Sequence, residues 1–468
     1  MQYIGKDVLT QGSLLHLDPK KAWQLLRSRA KQGIRKAKRA GIRMEESRDL
    51  SLMARVWYNP DTLTKTLEPE QKLYLAYLGE ELVGGIIVTP VTPNTLFYHY
   101  GGTNELGRSI EANAYLLWHI VEEFKGSEFT YLDVGVSFRP ELQHYFQKYC
   151  TQPYPILFRA PSDEVKPHMA LNPFATDHLD WVEQQAVAIN TQLSEYFEAE
   201  FTYLPSWPYA LQSALRALEL PNPATVGVWA SAGETSYIES LREMFGDRFG
   251  FEARKREADA YLVCHRWGIP CAEVEELSTE RVPLVEDCRD YFYFPQGEQR
   301  SGSYGRFAVF DFARWFPLQF GAALVGEFYP DKHVWDHFHC LDVTKRNTVR
   351  ELLQIHWPQR EAYAAARAEN WNRYSELFTM LGFPPPNGQQ PPLAFLLKAE
   401  EPYPARAIHE RLREFGIGSE MDERDGIVAL PCHAGLKKSH VDYIFGAFRG
   451  MVNPCYTFVR SDPAEKKS

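Results

Sequence analysis

The densest charge in the chain runs from Arg27 to Arg43. Arg27, Arg29, Lys31, Arg35, Lys36, Lys38, Arg39 and Arg43 stand there with no intervening acid. Two readings apply: a solvated helix face, or a seat for a polyanion such as tRNA phosphates, a nucleotide diphosphate or a lipid pyrophosphate. Farther on, Asp133 ends an apolar run just before Val134-Gly135. A carboxylate at a strand end before a glycine suits loop capping or the binding of an amine. His337 and His339 fall two apart in "WDHFHCLD", on one face of any strand, but no third metal ligand is evident. The strip from Pro283 to Gly326 carries Asp287, Arg289, Asp311 and Arg314, and no lysine occurs between Arg306 and Asp331.

The bulk numbers frame these groups. With 468 residues there is room for two or three domains, and 44% hydrophobic residues supply ample core material. A net charge of −10 excludes general binding to nucleic acid or anionic membrane, so such a contact needs a local basic patch. The seven cysteines (Cys150, Cys264, Cys271, Cys288, Cys340, Cys432, Cys455) are scattered and include no C-x-x-C pair. They read as reduced thiols, mostly buried, in a cytoplasmic protein. The N-terminal stretch lacks the apolar region of a signal peptide. No run approaches the roughly 18–20 apolar residues that cross a membrane.

The elements that would position these groups follow from periodicity. Trp23, Leu26, Ala30, Ile34 and Ala37 recur at helical spacing over Lys20 to Gly41. From Lys72 the pattern is strand, Gly-Glu-Glu turn, and a second strand through Gly84-Gly85-Ile-Ile-Val. A third strand from Thr95 to Tyr100 follows. An amphipathic helix is predicted over Ala112 to Phe124, and a short strand over Phe129 to Val134. From about Pro173 strands alternate with helices, as a doubly wound sheet requires. "GFPPPNGQQPP" reads as a Pro-rich loop and "SDPAEKKS" as a disordered tail.

Five fragments of the N-terminal third resemble the FemAB/FemX-like branch of the GNAT acyltransferases: "KQGIRKAKRAGI", "AYLGEELVGGIIV", "YHYGGTNE", "YLLWHIVEEFKGSEFTYLDVG" and "FQKYC". The likeness covers about 140 residues, and its weight lies in their order and spacing. It implies alignment of an amine with a thioester or ester carbonyl, removal of a proton and support of an oxyanion. His99, Tyr100 and Asp133 are the catalytic candidates, with Tyr98 beside them, and Asp133 matches the aspartate of the family's "YDFGG"-type segment. Arg108 and Asn113, in "RSIEAN", fall where the family's pyrophosphate loop reads Q/R-x-x-G-x-G/A. There Glu111 and Asn113 replace the glycines. Arg139 and the basic residues Arg35, Lys36 and Arg39 complete the implied substrate and donor contacts.

From about Pro173 the chain resembles DegT-type sugar aminotransferases of the fold-type I pyridoxal-phosphate (PLP) class. "YLPSWPYALQSALRALELPNPATVGVW", "ADAYLVCHRWGIPCAEVEELS", "VPLVEDCRDYF" and "ALPCHAGLKKSHVDYIFGAFR" carry the likeness over about 280 residues. Asp287 then matches the aspartate on the pyridine nitrogen. Trp207-Pro208 fall at the phosphate cup, where proline lacks an amide donor. Asp311 falls at a phosphate-binding serine, and Arg314 falls at the Schiff-base lysine, where a guanidinium cannot form the imine. Arg266, Arg289, Arg306, Arg314 and His265 would give the cleft a cationic lining.

Together these features predict an α/β protein. A GNAT/FemAB-like domain (1–165) precedes a DegT-like large domain with a doubly wound sheet (173–350), a small α+β subdomain (351–460) and a disordered tail (461–468). The implied function is transfer of an acyl or aminoacyl group onto an amine of an amino sugar or cell-surface glycan precursor. Acyl-CoA or aminoacyl-tRNA would be the donor and PLP would have no part. The aminotransferase-like domain would serve as scaffold or recognition module. Alternatives are a non-catalytic nucleotide-sugar or partner-binding protein and an atypical PLP-dependent aminotransferase. Expected partners are a small amine or nucleotide sugar, tRNA at the basic helix, and a second copy in a homodimer. No metal is expected.

Overall fold

The computed structural model describes residues 2–4, 7–57, 63, 66–135, 148–149, 152–158, 169, 186–292, 301–318, 320–326, 343–385, 393–399 and 402–452. The chain forms two compact units. The first takes Met1–Lys166, Glu376–Pro384 and Asp442–Ser468; the second takes Pro167–Ser375 and Pro385–Val441. The helix Lys438–Val452, placed by sequence wholly in a C-terminal subdomain, has its residues from 442 onward in the first unit.

The first unit is built on one sheet. Its strands are β1 (Gln2–Ile4), β2 (Asp7–His16), β3 (Arg43–Ser47), β4 (Lys72–Leu78), β5 (Glu81–Thr92), β6 (Thr95–Thr103), β7 (Tyr131–Asp133) and β8 (Gln152–Phe158). Their order is β1-β2-β7-β6-β5-β4-β3, with β8 also on β2. Neighbours are antiparallel except β6 and β7, which the helix Ala112–Glu123 connects in parallel. The strand, turn, strand, strand, helix, strand order predicted over 72–134 is therefore present. Along β4, Tyr74 and Ala76 face the core under helices Ser28–Ala40 and Ala112–Glu123, while Leu73 and Leu75 face Met53. This alternation is the two-residue period of a strand covered on both faces. At Gly85 a Cβ would come within 2.7 Å of the Met53 sulfur, so the bare backbone admits the helix Leu50–Ala54.

The predicted helix from Lys20 to Gly41 is two helices, Pro19–Leu25 and Ser28–Ala40. Leu26 and Arg27 between them are extended, and the Arg27 N–H donates to the Lys148 carbonyl. Most of the stripe survives the break: Leu26, Ala30, Ile34 and Ala37 are buried, whereas Trp23 is half-buried and its neighbour Ala22 takes the buried position.

In the second unit the strands are β9 (Phe201–Leu204), β10 (Ala224–Ala230), β11 (Phe249–Ala253), β12 (Ala260–Cys264), β13 (Leu284–Asp287), β14 (Phe307–Asp311) and β15 (Ala322–Val325). The sheet order is β11-β10-β12-β13-β14-β15-β9. The pairs from β11 to β14 are parallel, and β15 runs antiparallel to both its neighbours. Ala260 and Leu262 point into one core; Tyr261 and Val263 point into another. Both faces are thus buried, as parallel sheets require. The sheet with its covering helices makes a mixed α/β architecture. A second, antiparallel sheet joins β16 (Ala394–Lys398), β17 (Glu420–Asp422) and β18 (Ile427–Pro431) in the order β16-β18-β17. No helix among the described residues is long and apolar enough to cross a membrane. Cys264, Cys271, Cys288 and Cys432 are free and buried; the other three cysteines lie outside the described residues.

Candidate functional site

Open parallel sheets bind ligands beyond the carboxyl ends of their strands. In the second unit that edge gathers ionisable side chains. β12 ends in register with Asp287 of β13, and β14 ends at Asp311. Asp287 is fully buried. It accepts from the Tyr237 hydroxyl at 2.6 Å, the Arg289 N–H at 3.0 Å and the Cys264 thiol at 3.6 Å. Burial raises its pKa, opposed by the charge on Arg289 and the bond from Tyr237. Burial, with Asp287 beside it, pushes the Tyr237 hydroxyl well above its ordinary value, so it stays a donor.

The Arg289 guanidinium lies over the Trp207 ring, 4.1 Å from its centroid, and 5.5 Å from that of Tyr237. Its Nε makes no hydrogen bond and stands 3.7 Å from Asp290. Trp207 opens the helix Trp207–Ala217; it is buried, and its indole N–H has no partner among the described residues. Pro208 follows it at the helix start.

Arg314 donates from Nε to Asp290 at 2.8 Å and pairs through Nη1 with Glu420 at 2.7 Å. Despite its burial, Asp290 is held down to about 2 by Arg314 and Arg289. The paired carboxylates Asp290 and Glu420 hold Arg314 above its ordinary range, against burial. Asp311 caps the helix Phe312–Trp315 by accepting from the Ala313 N–H, and burial pushes it up to about 6. Arg266 donates to the Gly233 carbonyl and Ser236, lies 3.8 Å from Asp422 and stacks on Trp267 at 4.2 Å. Gly233, at φ +61°, makes that possible: a Cβ there would lie 2.3 Å from the Arg266 guanidinium. Arg306 precedes β14 and donates its N–H to Leu284 at the start of β13. It belongs to the opposite end of the sheet and does not line the cleft.

His265, Glu286 and Cys288 bring one ligand atom each within 4.8 Å of one another. The hydrogen bonds argue against a metal between them. His265 Nδ1 accepts from the Cys271 N–H, so Nε2 carries the proton and faces Glu286 at 3.3 Å. Glu286 accepts from the N–H groups of Gly302, Tyr304 and Gly305, which makes it the anchor of that loop. His337 and His339 lie outside the described residues.

The first unit deploys its candidates differently. Asp133 is fully buried in register with Phe97; it accepts from Tyr154 and from the Gly135 N–H at 2.8 Å, and pairs with Arg449. A carboxylate so enclosed is a structural anchor and not an amine-binding group. His99 is the extra residue of a β-bulge, since Tyr98 and Tyr100 pair with Val88 and Ile87 while His99 is skipped. Its Nδ1 is 3.3 Å from Gln71 and from Thr89, its ring stacks on Tyr100 at 4.5 Å, and burial lowers its pKa. Burial also raises the Tyr98 hydroxyl. Arg108 is exposed and donates to the Thr103 carbonyl; Asn113 is partly buried with its Oδ1 unpartnered. Glu111, at φ +63°, adopts the left-handed conformation that favours glycine. Arg35, Lys36 and Arg39 are exposed on helix Ser28–Ala40. Arg139 lies outside the described residues.

No family model and no curated protein matches the chain. Solved structures similar to it include aminotransferases, some of them described as sugar aminotransferases. Spr1654 of Streptococcus pneumoniae, assigned as a sugar aminotransferase and solved in its PLP form, has 15% identity and a TM-score of 0.48 over 62% of this chain and 100% of its own. DesI, solved with its TDP-sugar product, has 13% identity and a TM-score of 0.48 over 64% and 95%. The aminotransferase TlmJ of Streptoalloteichus hindustanus has 14% identity and a TM-score of 0.46 over 58% and 91%. At such identity, and with these TM-scores below 0.5, the likeness assigns no activity to this chain.

These findings correct the sequence reading. The neighbours are aminotransferases, so the acyl- or aminoacyltransferase function and the acyl-CoA or aminoacyl-tRNA donor are withdrawn. With them go the catalytic roles of Asp133, His99 and Tyr100 in that reaction. The exclusion of PLP is withdrawn as well, since the neighbours include PLP and PMP forms. The GNAT-like assignment of the first unit gains no support. The cleft itself does not fit an imine-linked PLP. Asp287 suits a pyridine nitrogen, but Tyr237 already occupies one of its oxygens, Trp207 and Pro208 stand at the helix start, and 307–330 offers no amine. No chemical step through the cofactor follows from these residues.

Tyr237, Asp290, Trp267 and Glu420 are missing from the sequence reading. Asp290 lies three residues beyond Asp287 and was within reach of the same strip; the others come from distant segments and carry no local signal.

Proposed function

We propose that the second unit is a nucleotide-sugar-handling protein of the aminotransferase class, with its ligand beyond the carboxyl ends of β12, β13 and β14. One observation carries this: the Arg289 guanidinium centred 4.1 Å from the Trp207 ring, with its Nε turned to Asp290 and its side chain still 17% exposed. A guanidinium backed by an aromatic ring is suited to a phosphate oxygen pair. Asp287 and Asp311 beside it would accept from sugar hydroxyl or amino groups. The reading also includes a homodimer, in keeping with the fold's resemblance.

Titration calorimetry with UDP- and dTDP-sugars, with and without added PLP or PMP, tests it. A sugar nucleotide should bind and the free sugar should not. Arg289→Ala should weaken binding by at least tenfold, as the loss of a charge-assisted contact of about 1.5–3 kcal/mol requires. No heat from any sugar nucleotide in any combination would remove the reading. A sedimenting mass of one chain would remove the homodimer.

A further inference from the structure

We propose that the first unit carries a binding surface for a polynucleotide backbone on helix Ser28–Ala40, independent of any ligand in the second unit. Arg27, Lys31, Arg35 and Arg39 recur every four residues. Four residues advance a helix by about 6 Å and turn it only some 40° beyond a full revolution, so Lys31, Arg35 and Arg39 form one ridge, with the extended cap residue Arg27 just before it. That spacing is comparable with the distance between successive phosphates of a nucleic acid strand. Arg29, Lys36 and Lys38 flank the ridge. Six of the seven are exposed and Lys31 is half-buried. Among the described residues none of the seven has an ion-pair partner.

The start of the helix opposes such charge, although Lys38 and Arg39 in the last turn suit its C-terminal end. The first turn holds no acid, and the N-cap is Arg27, which makes no side-chain capping bond. Cations there face the positive end of the helix dipole. Like charges four apart repel along the whole ridge. The opposite face is satisfied, with Ala30, Gly33, Ile34 and Ala37 buried against the sheet and helix Ala112–Glu123. An anion outside the fold is what would relieve the exposed face.

Two features favour a polynucleotide over a lipid surface. Membrane-bound amphipathic helices insert an apolar face, and here that face is committed to the core, leaving Leu25 as the large exposed apolar side chain next to it. Trp23 also lies under the ridge, 5.9 Å from Lys31 Nζ and 5.4 Å from the Arg35 guanidinium. Cations interleaved with an aromatic ring are the pattern of strand-tracking surfaces. Since the chain carries −10 overall, binding must be local to this patch.

Fluorescence anisotropy of the full chain, with labelled 20-nucleotide RNA, duplex DNA of that length and vesicles of phosphatidylglycerol and phosphatidylcholine, tests the surface. The nucleic acids should bind with log K falling against log salt at a slope near −3, about −0.7 to −0.9 per phosphate neutralised. Arg35→Glu, Lys36→Glu and Arg39→Glu together should weaken binding at least tenfold and flatten the slope. A second variant, Arg27→Gln with Arg35→Gln and Arg39→Gln, should weaken binding while keeping or raising the melting temperature, which separates lost contacts from lost fold. The proposal is overturned if neither nucleic acid binds at 50 mM salt, if both variants bind like the parent, or if vesicles bind more tightly than the nucleic acids.

Discussion

Asp311 is the residue whose charge is most at odds with its place. Burial lifts its carboxyl to about 6, against the pull of Arg314 and the Ala313 N–H. In an unfolded chain the same group titrates near 4. Between about pH 4 and pH 6 the folded protein holds a proton that the unfolded chain has released, so this group makes stability fall as pH rises through that window. Asp290 works in the opposite sense. Its pKa is depressed to about 2, so its contribution is present above pH 4 and is lost as pH falls toward 2. Asp311→Asn keeps a capping side chain and removes the titration. It should stabilise the protein by about 1–2 kcal/mol at pH 7, a discounted conversion of the shift for a partly exposed group. At pH 3.5 it should give no gain. Urea melts at the two pH values measure this, and an equal change at both would rule the titration out.

At the scale of elements, strand β17 is short and, among the described residues, pairs only with β18. Side chains from the large sheet's loops secure it. Arg314 and the Trp267 indole N–H reach Glu420, and Ser236 and Arg266 reach Asp422. Arg314→Met should cost about 3 kcal/mol, the low end for breaking a buried pair, because Arg289 still neighbours Asp290. Amide exchange over 420–422 should accelerate in step. Unchanged exchange with a loss below 0.5 kcal/mol would show that the strand is held otherwise. Elements of this fold were legible where period and punctuation agree. β4 and β5 could be placed because Gly79-Glu80 breaks a continuous apolar run, and Ala112–Glu123 because its twelve residues, mostly apolar, contain no glycine or proline. The break at Leu26 and Arg27 could not, because it is imposed by a hydrogen bond to Lys148 and no glycine or proline marks it. In the cleft, Asp287 could be placed from its strand and the arginines from their strip. The lock on Arg314 could not, because Glu420 arrives from another sheet.

The whole molecule is not a string of consecutive domains. The first unit is completed by two segments from far along the chain, Glu376–Pro384 and Asp442–Ser468. Phe378, Phe445 and Phe448 interlock there, with ring centroids 5.4 Å and 5.0 Å apart. Arg449, fully buried over the Tyr154 ring at 4.0 Å, supplies the counter-charge to Asp133. A fragment ending at Lys166 would keep every strand of the first sheet but leave Asp133 buried with no cation. An uncompensated buried charge costs about 3–5 kcal/mol, a large share of a typical domain's 5–15 kcal/mol. The fragment 1–166 should therefore lack a cooperative thermal transition and be cut rapidly by protease. In the full chain, Arg449→Met should destabilise the first unit, and pairing it with Asp133→Asn should recover part of the loss, because the second change removes the stranded charge. Circular dichroism melts and timed proteolysis of the three proteins decide this. A fragment that melts as sharply and as high as the full chain would mean that the late segments only cover a domain already complete without them.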